Sequence, residues 1–376
     1  MSTTAVSPIR LFQAAHSPGL EQAALDVLRS GQIASGPKVP EFEKALGELI
    51  GRPHVVTTND MTSALVLALH LAGVGANDEV LTLAYSCLSS NSAIVRVGAK
   101  AVWVDIDAAT ATMSVDDCRA AITQRTKAVM VYHVAGYPGP TREIAELCRE
   151  RGIAVIEDCN NAFGAVVNGA PIGSIGDYAV YSFYPNRQIN AIEGGALACP
   201  DEATAQRAMR LRRFGIDAPH FRDALGEISA TSDIPEVGWS AAFSQLNAAV
   251  GLSQMSALPV QRASTLRNAA RLHAALEDLR GIRPIQTLPN VEPAYWGLLV
   301  LAEQRDALLS SLKDRGIHTS RLHHRNDDYT GFAATRRNLP GTDAIMAQVL
   351  AIPCGWWLAD EDVQRLTATL RELCGP

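Results

Sequence analysis

Lysine is the scarce residue of this sequence. It stands at Lys38, Lys44, Lys100, Lys127 and Lys313 and nowhere between residues 128 and 312, so arginine carries nearly all of the basic charge. Acidic residues outnumber basic ones, 39 to 33, and the net charge is −6. With no Lys/Arg-dense run, the basic surface that nucleic acid binding requires is missing. No apolar run approaches the roughly 18 residues that a membrane-spanning helix needs. The N-terminus, MSTTAVSPIRLF, has neither the charged n-region nor the apolar h-region of a secretory signal. The seven cysteines, Cys87, Cys118, Cys148, Cys159, Cys199, Cys354 and Cys374, stand singly, without CxxC or His/Cys ligand spacing. These absences predict a cytoplasmic protein with free thiols, no structural metal, and no membrane or nucleic-acid partner.

What is present is core material. Apolar residues make up 47% of the chain and charged residues 19%, a globular balance. At 376 residues the chain exceeds one ordinary core, which predicts a large and a smaller domain. Short apolar runs at 54–58, 79–83, 101–105, 128–133, 154–157, 179–183 and 195–198 read as strands, and helical patterns (62–71, 115–122, 142–151) fall between several of them. Strands apolar on both faces and joined by helices predict a mostly parallel sheet flanked by helices. From about residue 245 the pattern turns helical (245–255, 260–279). A smaller α+β segment follows, with a strand at 294–300 and helices at 304–315 and 361–373. The expected division is 1–250 for the large α/β domain and 251–376 for the small α+β domain.

In a parallel sheet, ligands sit beyond the carboxyl ends of the strands. The strand at 154–157 delivers Glu157-Asp158 to that edge, and a buried carboxylate there can keep a pyridine nitrogen protonated. Glu-Asp after a strand is equally consistent with a cap or a salt bridge. The strand at 179–183 ends in Ser182-Phe183-Tyr184-Pro185-Asn186-Arg187, followed by Ala191-Ile192-Glu193-Gly194-Gly195. This places a hydroxyl suited to a phosphate oxygen, then a turn, then glycines that let the backbone pass closely.

These residues resemble the DegT/StrS family of sugar aminotransferases, fold-type-I enzymes that use pyridoxal phosphate (PLP). The similarity runs from Gly31 to the C-terminus. Gly31–Pro37 with Phe42-Glu43 resembles the family's opening, and Val131–Pro138 its His-x-x-Gly segment. Glu157–Gly164 is similar to its Glu-Asp-Ala-Ala-Gln-Ala-His-Gly motif, Tyr181–Gly195 to its lysine motif, and Gly355–Val363 to its closing segment. The resemblance implies a fold-type-I large domain, a small C-terminal domain and a homodimer whose sites straddle the interface. The implied substrate is a small molecule of nucleotide-sugar type. It also implies that Asp158 pairs with the pyridine nitrogen, that Asn161 approaches the ring's 3-oxygen, and that Ser182 with Met61 and Thr62 holds the phosphate. Cys87 falls at the ring-stacking position, and Ser240 at the position reaching the partner's phosphate. His323, His324 and Arg325, in a stretch similar to the His-x-Arg-Asn-Asp of some relatives, are implied on the substrate side.

The sequence departs from the family where the chemistry is done. The Schiff-base lysine position holds Arg187, whose guanidinium stays protonated and is no nucleophile. The phosphate loop reads Asp60-Met61-Thr62 in place of Ser-Gly-Thr, and Tyr184 replaces a common histidine. A deliberate lysine-to-arginine variant would alter one residue, whereas these departures cluster, which favours natural divergence. The expectation is a biosynthetic aminotransferase-family protein that is not a standard transaminase. It holds PLP or its amine form (PMP) non-covalently, or no cofactor, with Arg187, His133 and Tyr184 as the catalytic candidates. The competing readings are a PLP-independent enzyme on the same fold and a non-catalytic partner subunit.

Overall fold

The computed structural model describes residues 7–375. Seven strands form the main sheet: β1 (Val55–Thr58), β2 (Glu79–Leu83), β3 (Lys100–Val104), β4 (Thr126–Tyr132), β5 (Ala154–Asp158), β6 (Tyr178–Ser182) and β7 (Gly195–Ala198). Their order is β1-β7-β6-β5-β4-β2-β3. The pairs from β6 through β3 are parallel, and β7 alone runs antiparallel, between β1 and β6. The carboxyl ends of the other six strands therefore share one edge. The apolar runs form these strands because both faces of the sheet are covered: nearly every position of β1, β2, β4, β5 and β6 is buried.

Helices α1 (Leu20–Ser30) and α2 (Lys38–Ile50), which the sequence reading left unassigned, pack on α5 (Gln245–Met255) beside the sheet. Between them in the chain come α3 (Met61–Leu71) and α4 (Leu88–Arg96), which follow β1 and β2. Helix α3 is apolar from Ala64 to Leu69, all of them buried, as expected of a helix enclosed on several sides, with Thr62, Ser63 and His70 at its ends.

A second sheet, β8 (Ile282–Pro284), β9 (Leu298–Ala302) and β10 (Val349–Ile352), is antiparallel in the order β8-β9-β10. It is covered by α6 (Leu258–Leu276), α7 (Arg305–Asp314) and α8 (Asp360–Cys374). The expected division after residue 250 needs correcting, because it cuts through α5; the second core takes its residues from α6 onward. It also takes Ile9 from the other end of the chain, which bridges Ile317 and packs with Leu312 and Leu366. The strand expected at 294–300 begins instead at Leu298. Ala294 N and Trp296 N donate to Gly136 O and Ala135 O, and Tyr295 takes a left-handed φ of 48°, so this stretch clamps the two units together.

The pleat of β5 separates its two terminal carboxylates, since successive side chains of a strand point to opposite faces. Glu157 is fully buried and accepts from the amides of Gly173 (3.3 Å), Ile175 (2.9 Å) and Gly176 (2.7 Å) and from His133 Nε2 (3.3 Å). Burial alone would raise its pKa, but the His133 hydrogen bond and the amides hold it below the usual 4.5. Its contribution to stability is therefore complete above pH 4.5 and is lost as pH falls through the depressed value. Glu157→Ala should cost about 3–5 kcal/mol in denaturant unfolding, because it strands buried donors. Glu157→Gln should flatten the acid limb of the stability–pH curve. An unfolding midpoint unchanged in Glu157→Ala would contradict this role.

Candidate active site

Asp158 points to the opposite side of β5 from Glu157. It is fully buried: its Oδ2 accepts from Ser90 Oγ of α4 (2.5 Å), and its Oδ1 from Asn160 Nδ2 (2.9 Å) and Asn160 N (3.2 Å). Burial pushes its carboxyl above the ordinary value even though these donors pull it down. Ser90 lies 68 residues away in sequence and was not foreseen.

Arg187 comes from the turn after β6. Its side chain is buried, and its guanidinium lies over the Trp296 ring, 4.9 Å from the centroid. One terminal nitrogen donates to Asn186 Oδ1 (2.5 Å), and Trp296 Nε1 donates to Asn186 O (2.7 Å), which fixes the turn. Its Nε has no partner. Burial pulls this guanidinium below its usual pKa, while the neighbouring Cys87 thiol, the Tyr132 and Tyr184 phenols and the Asp158 carboxylate push it back up.

The third group is assembled from distant segments. Tyr132 Oη, fully buried at the end of β4, meets His323 Nε2 (2.9 Å), Cys87 Sγ (3.5 Å) and the donor Asn161 Nδ2 (2.9 Å). Burial first, then the neighbouring thiol and Asp158, raise the Tyr132 phenol well above its ordinary pKa and keep it neutral. Asn161 Oδ1, Asn160 Oδ1 and Gln188 Oε1 are also buried without partners beside these groups. An accumulation of orphaned polar atoms at the ligand edge of a parallel sheet marks a place where a polar ligand completes the structure.

The other sequence candidates fall at differing distances from this centre. His133 is fully buried, accepting from Gly139 N at Nδ1 (2.9 Å) and bonded to Glu157 at Nε2, so both ring nitrogens are committed. With Glu157 and Cys159 it forms the one compact group of potential metal ligands among the described residues. Burial holds the Cys159 thiol well above its usual pKa, and Glu157 is already filled by amide donors. His324 turns outward to Asp328 (3.2 Å), and Arg325 is locked to Asp327 and Asp343, leaving His323 alone of that trio in the site. Ser240 is exposed on a loop laid along β1, and Tyr184 is half exposed at the rim. Of the lysines, Lys44, Lys100, Lys127 and Lys313 are exposed, and Lys38 pairs with Glu41, so none belongs to this cluster.

Ser182 ends β6, its Oγ accepting from Tyr184 N (3.4 Å). Beside it Gly195 passes so close to α3 that a Cβ would lie 2.6 Å from Met61 Cα, which accounts for the glycine. The α3 N-terminus, with Met61 and Thr62, faces this edge, but its cap is a carboxylate. Asp60 accepts from Ser63 N (2.8 Å) and Ser63 Oγ (2.9 Å).

This layout agrees with what sequence comparison finds. The profile of the DegT/DnrJ/EryC1/StrS aminotransferase family matches residues 17–371. The chain belongs to that family. Among solved structures it is similar to AtS13 from Actinomadura melliaura, with 34% identity over 98% of this chain and 99% of that one, at a TM-score of 0.92. It is likewise similar to the sugar aminotransferase CalS13 from Micromonospora echinospora, with 33% identity over 97% and 99% and the same TM-score. Spr1654 from Streptococcus pneumoniae, 23% identical over 97% and 98% with a TM-score of 0.89, shares the fold and has been solved in PLP and PMP forms. PLP and PMP are the cofactors of this fold. Among the described residues no helix is long and apolar enough to cross a membrane.

The residues fit the ring end of such a cofactor: Asp158 keeps free acceptor capacity, and Asn161 Oδ1 is unpartnered. At the phosphate end Asp60 already occupies the helix cap, and its charge opposes a phosphate by about 1 kcal/mol in water and about 4 near a protein surface at ~4 Å. Asp60→Ser, which retains a good cap, should tighten PMP binding by about tenfold in a fluorescence titration, the equivalent of about 1.4 kcal/mol. Unchanged affinity would show that Asp60 does not face the phosphate.

Proposed function

We propose that this chain is a biosynthetic member of its family, of amino-sugar or secondary-metabolite type, that lacks the Schiff-base lysine and is not a standard transaminase. The observation that carries this reading is the buried Arg187 guanidinium beside Asp158, with no amine side chain near it. Bringing a guanidinium from above ~12 to near 7 would take more than about five pKa units, or roughly 7 kcal/mol, comparable with a whole domain's stability. The neighbouring thiol, phenols and carboxylate act in the opposite sense, favouring the charged form.

PLP or PMP, bound here, would supply a conjugated ring able to take up electrons from a breaking bond, or an amine for transfer. Asp158 would hold the proton on the ring nitrogen, Asn161 would face the 3-oxygen, and Ser182 with Thr62 and the α3 N-terminus would meet the phosphate. Binding would be non-covalent. Arg187 is a fixed cation at the site and suits an anionic group of substrate or cofactor. Proton transfer falls to Tyr184 at the rim rather than to His133, whose ring nitrogens are both engaged.

The substrate class inferred from the relatives is a small sugar-type molecule. We further infer a homodimer: Tyr184 and Ile192, in the turn that carries Arg187, leave apolar surface exposed beside the site, as an interface would. Asp60 in the phosphate cup favours, as a second reading, a family member that works without the cofactor or as a partner subunit.

The experiment is Arg187→Lys beside the wild type, each mixed with PLP, reduced with borohydride and weighed intact. The variant should show a visible absorbance before reduction and carry the cofactor's mass after it, and the wild type should show neither. A variant that takes up no cofactor would show that the pocket has lost it, and the cofactor-free reading would replace this one.

A further inference from the structure

The family's chemistry does not use the thiol in this site. Cys87 is the N-cap residue of α4, a nine-residue helix, and is half-buried at the C-terminal edge of the sheet. A helix N-terminus favours a thiolate. The titratable and charged groups facing it come from several elements: Tyr85 from its own loop, Tyr132 from β4, Arg187 from the turn after β6 and His323 from the small unit. Its Sγ lies 3.5 Å from Tyr132 Oη and 3.9 Å from His323 Nε2. Burial by itself would raise this thiol, yet His323, then Arg187 and Tyr132, bring it below its ordinary value.

Hydrogen-bond capacity gives the cluster a direction. The neutral phenol of Tyr132 has one proton to donate and two lone pairs to accept with. One lone pair takes Asn161 Nδ2; with the thiol protonated, the other takes the Cys87 S–H and the phenol proton goes to His323 Nε2, and with the thiol ionised both bonds reverse. The path from Cys87 through Tyr132 to His323 can therefore carry the thiol proton away. Two buried groups beside the thiol await a partner: Arg187, 8% exposed with an unpaired Nε, and Asn161, 0% exposed with an unpaired Oδ1. Together they call for a small ligand that brings an acceptor to the guanidinium and, at the amide oxygen, a donor such as the hydroxyl that carbonyl addition creates.

We propose that Cys87 is a nucleophile that adds reversibly to the carbonyl carbon of a small anionic aldehyde whose charge is seated on Arg187. The S–C bond forms as the C=O π bond opens. The thiol proton leaves through Tyr132 to His323 and is returned to the former carbonyl oxygen, so no oxidant, reductant or leaving group is needed. Cys87, Tyr132, His323, Arg187 and Asn161 act this way in the cofactor-free protein, since a bound cofactor ring would take the face of Cys87 and the Asn161 amide.

The test is alkylation of the wild-type protein, read residue by residue by mass spectrometry, with the half-buried Cys374 as internal reference; burial raises that thiol. Cys87 should react ahead of Cys374 at neutral pH, and it should favour iodoacetate over iodoacetamide because the anion is seated on Arg187. In Arg187→Met that preference should fall by about tenfold, the worth of one charged hydrogen bond. His323→Asn and Tyr132→Phe should move the midpoint of the pH–rate profile upward, toward the ordinary thiol value of about 8.5. Glyoxylate, an aldehyde bearing a carboxylate, should protect Cys87 reversibly, while acetate, with the charge and no aldehyde, should not. Cys87 reacting no faster than Cys374, or equal protection by acetate and glyoxylate, would overturn the proposal. The wild-type measurements do so without reference to whether any variant folds.

Discussion

The site is organised around a single buried positive charge. Removing a guanidinium from water is costly unless anions, dipoles and π faces surround it. Around Arg187 these are the Asp158 carboxylate, the Cys87 thiol, the Tyr132 phenol, the Asn186 amide and the Trp296 ring. Burial drives Arg187 and Asp158 each toward its neutral form; Asp158 helps to hold the guanidinium charged, and hydrogen bonds from Ser90 and Asn160 do the same for the carboxylate. The same charge ties remote parts of the chain together. Trp296, beneath the guanidinium, stacks on Phe12 of the N-terminal segment at 3.8 Å and belongs to the clamp that joins the small unit to the main sheet. A smaller neutral residue at 187 would thus leave a hole between the site and the clamp.

The charge also decides what chemistry the fold can host. A lysine at this position can lose its proton and form a covalent bond; an arginine cannot, and it presents a fork of donors to an anion instead. The carboxylate at the helix cap, Asp60, makes the phosphate end less hospitable. The Cys87 thiol lies in the same cluster as Arg187, within reach of Tyr132 and His323. Arg187 favours an anion at the ring end of the site, whereas Asp60 disfavours one at the phosphate end.

Much of the main sheet was legible in the sequence, because strands covered on both faces leave uninterrupted apolar runs, as at 79–83, 128–132 and 179–182. The division of the chain was less so. A single helix, α5, spans residue 250, and Ile9 crosses to the second core, a pairing 308 residues long that no local pattern encodes. The delayed start of β9 rests on the left-handed turn at Tyr295, a residue type that gives no warning of it. In the site, the motif stretches that carry Asp158, Asn161 and Arg187 stand out in the sequence through their resemblance to the family, and the fold brings these three side chains to one edge of the sheet. Tyr132, Ser90 and the inward turn of His323 could not be foreseen. The contact between Tyr132 and His323 spans 191 residues, and the one between Ser90 and Asp158 spans 68. His133 looked like a free base because its two partners, Gly139 N and Glu157, become visible only in three dimensions.

The central claim is that a fixed guanidinium has replaced the amine on which the family's transamination depends. It is tested most directly by single-enzyme turnover of the wild-type protein, supplied with PLP, glutamate and a nucleotide-linked keto sugar and containing no added amine. The account predicts amino transfer far slower than ~1 per second, well below ordinary enzymatic turnover. Transfer at or above ~1 per second would place a working amine in the site and contradict the assignment of Arg187.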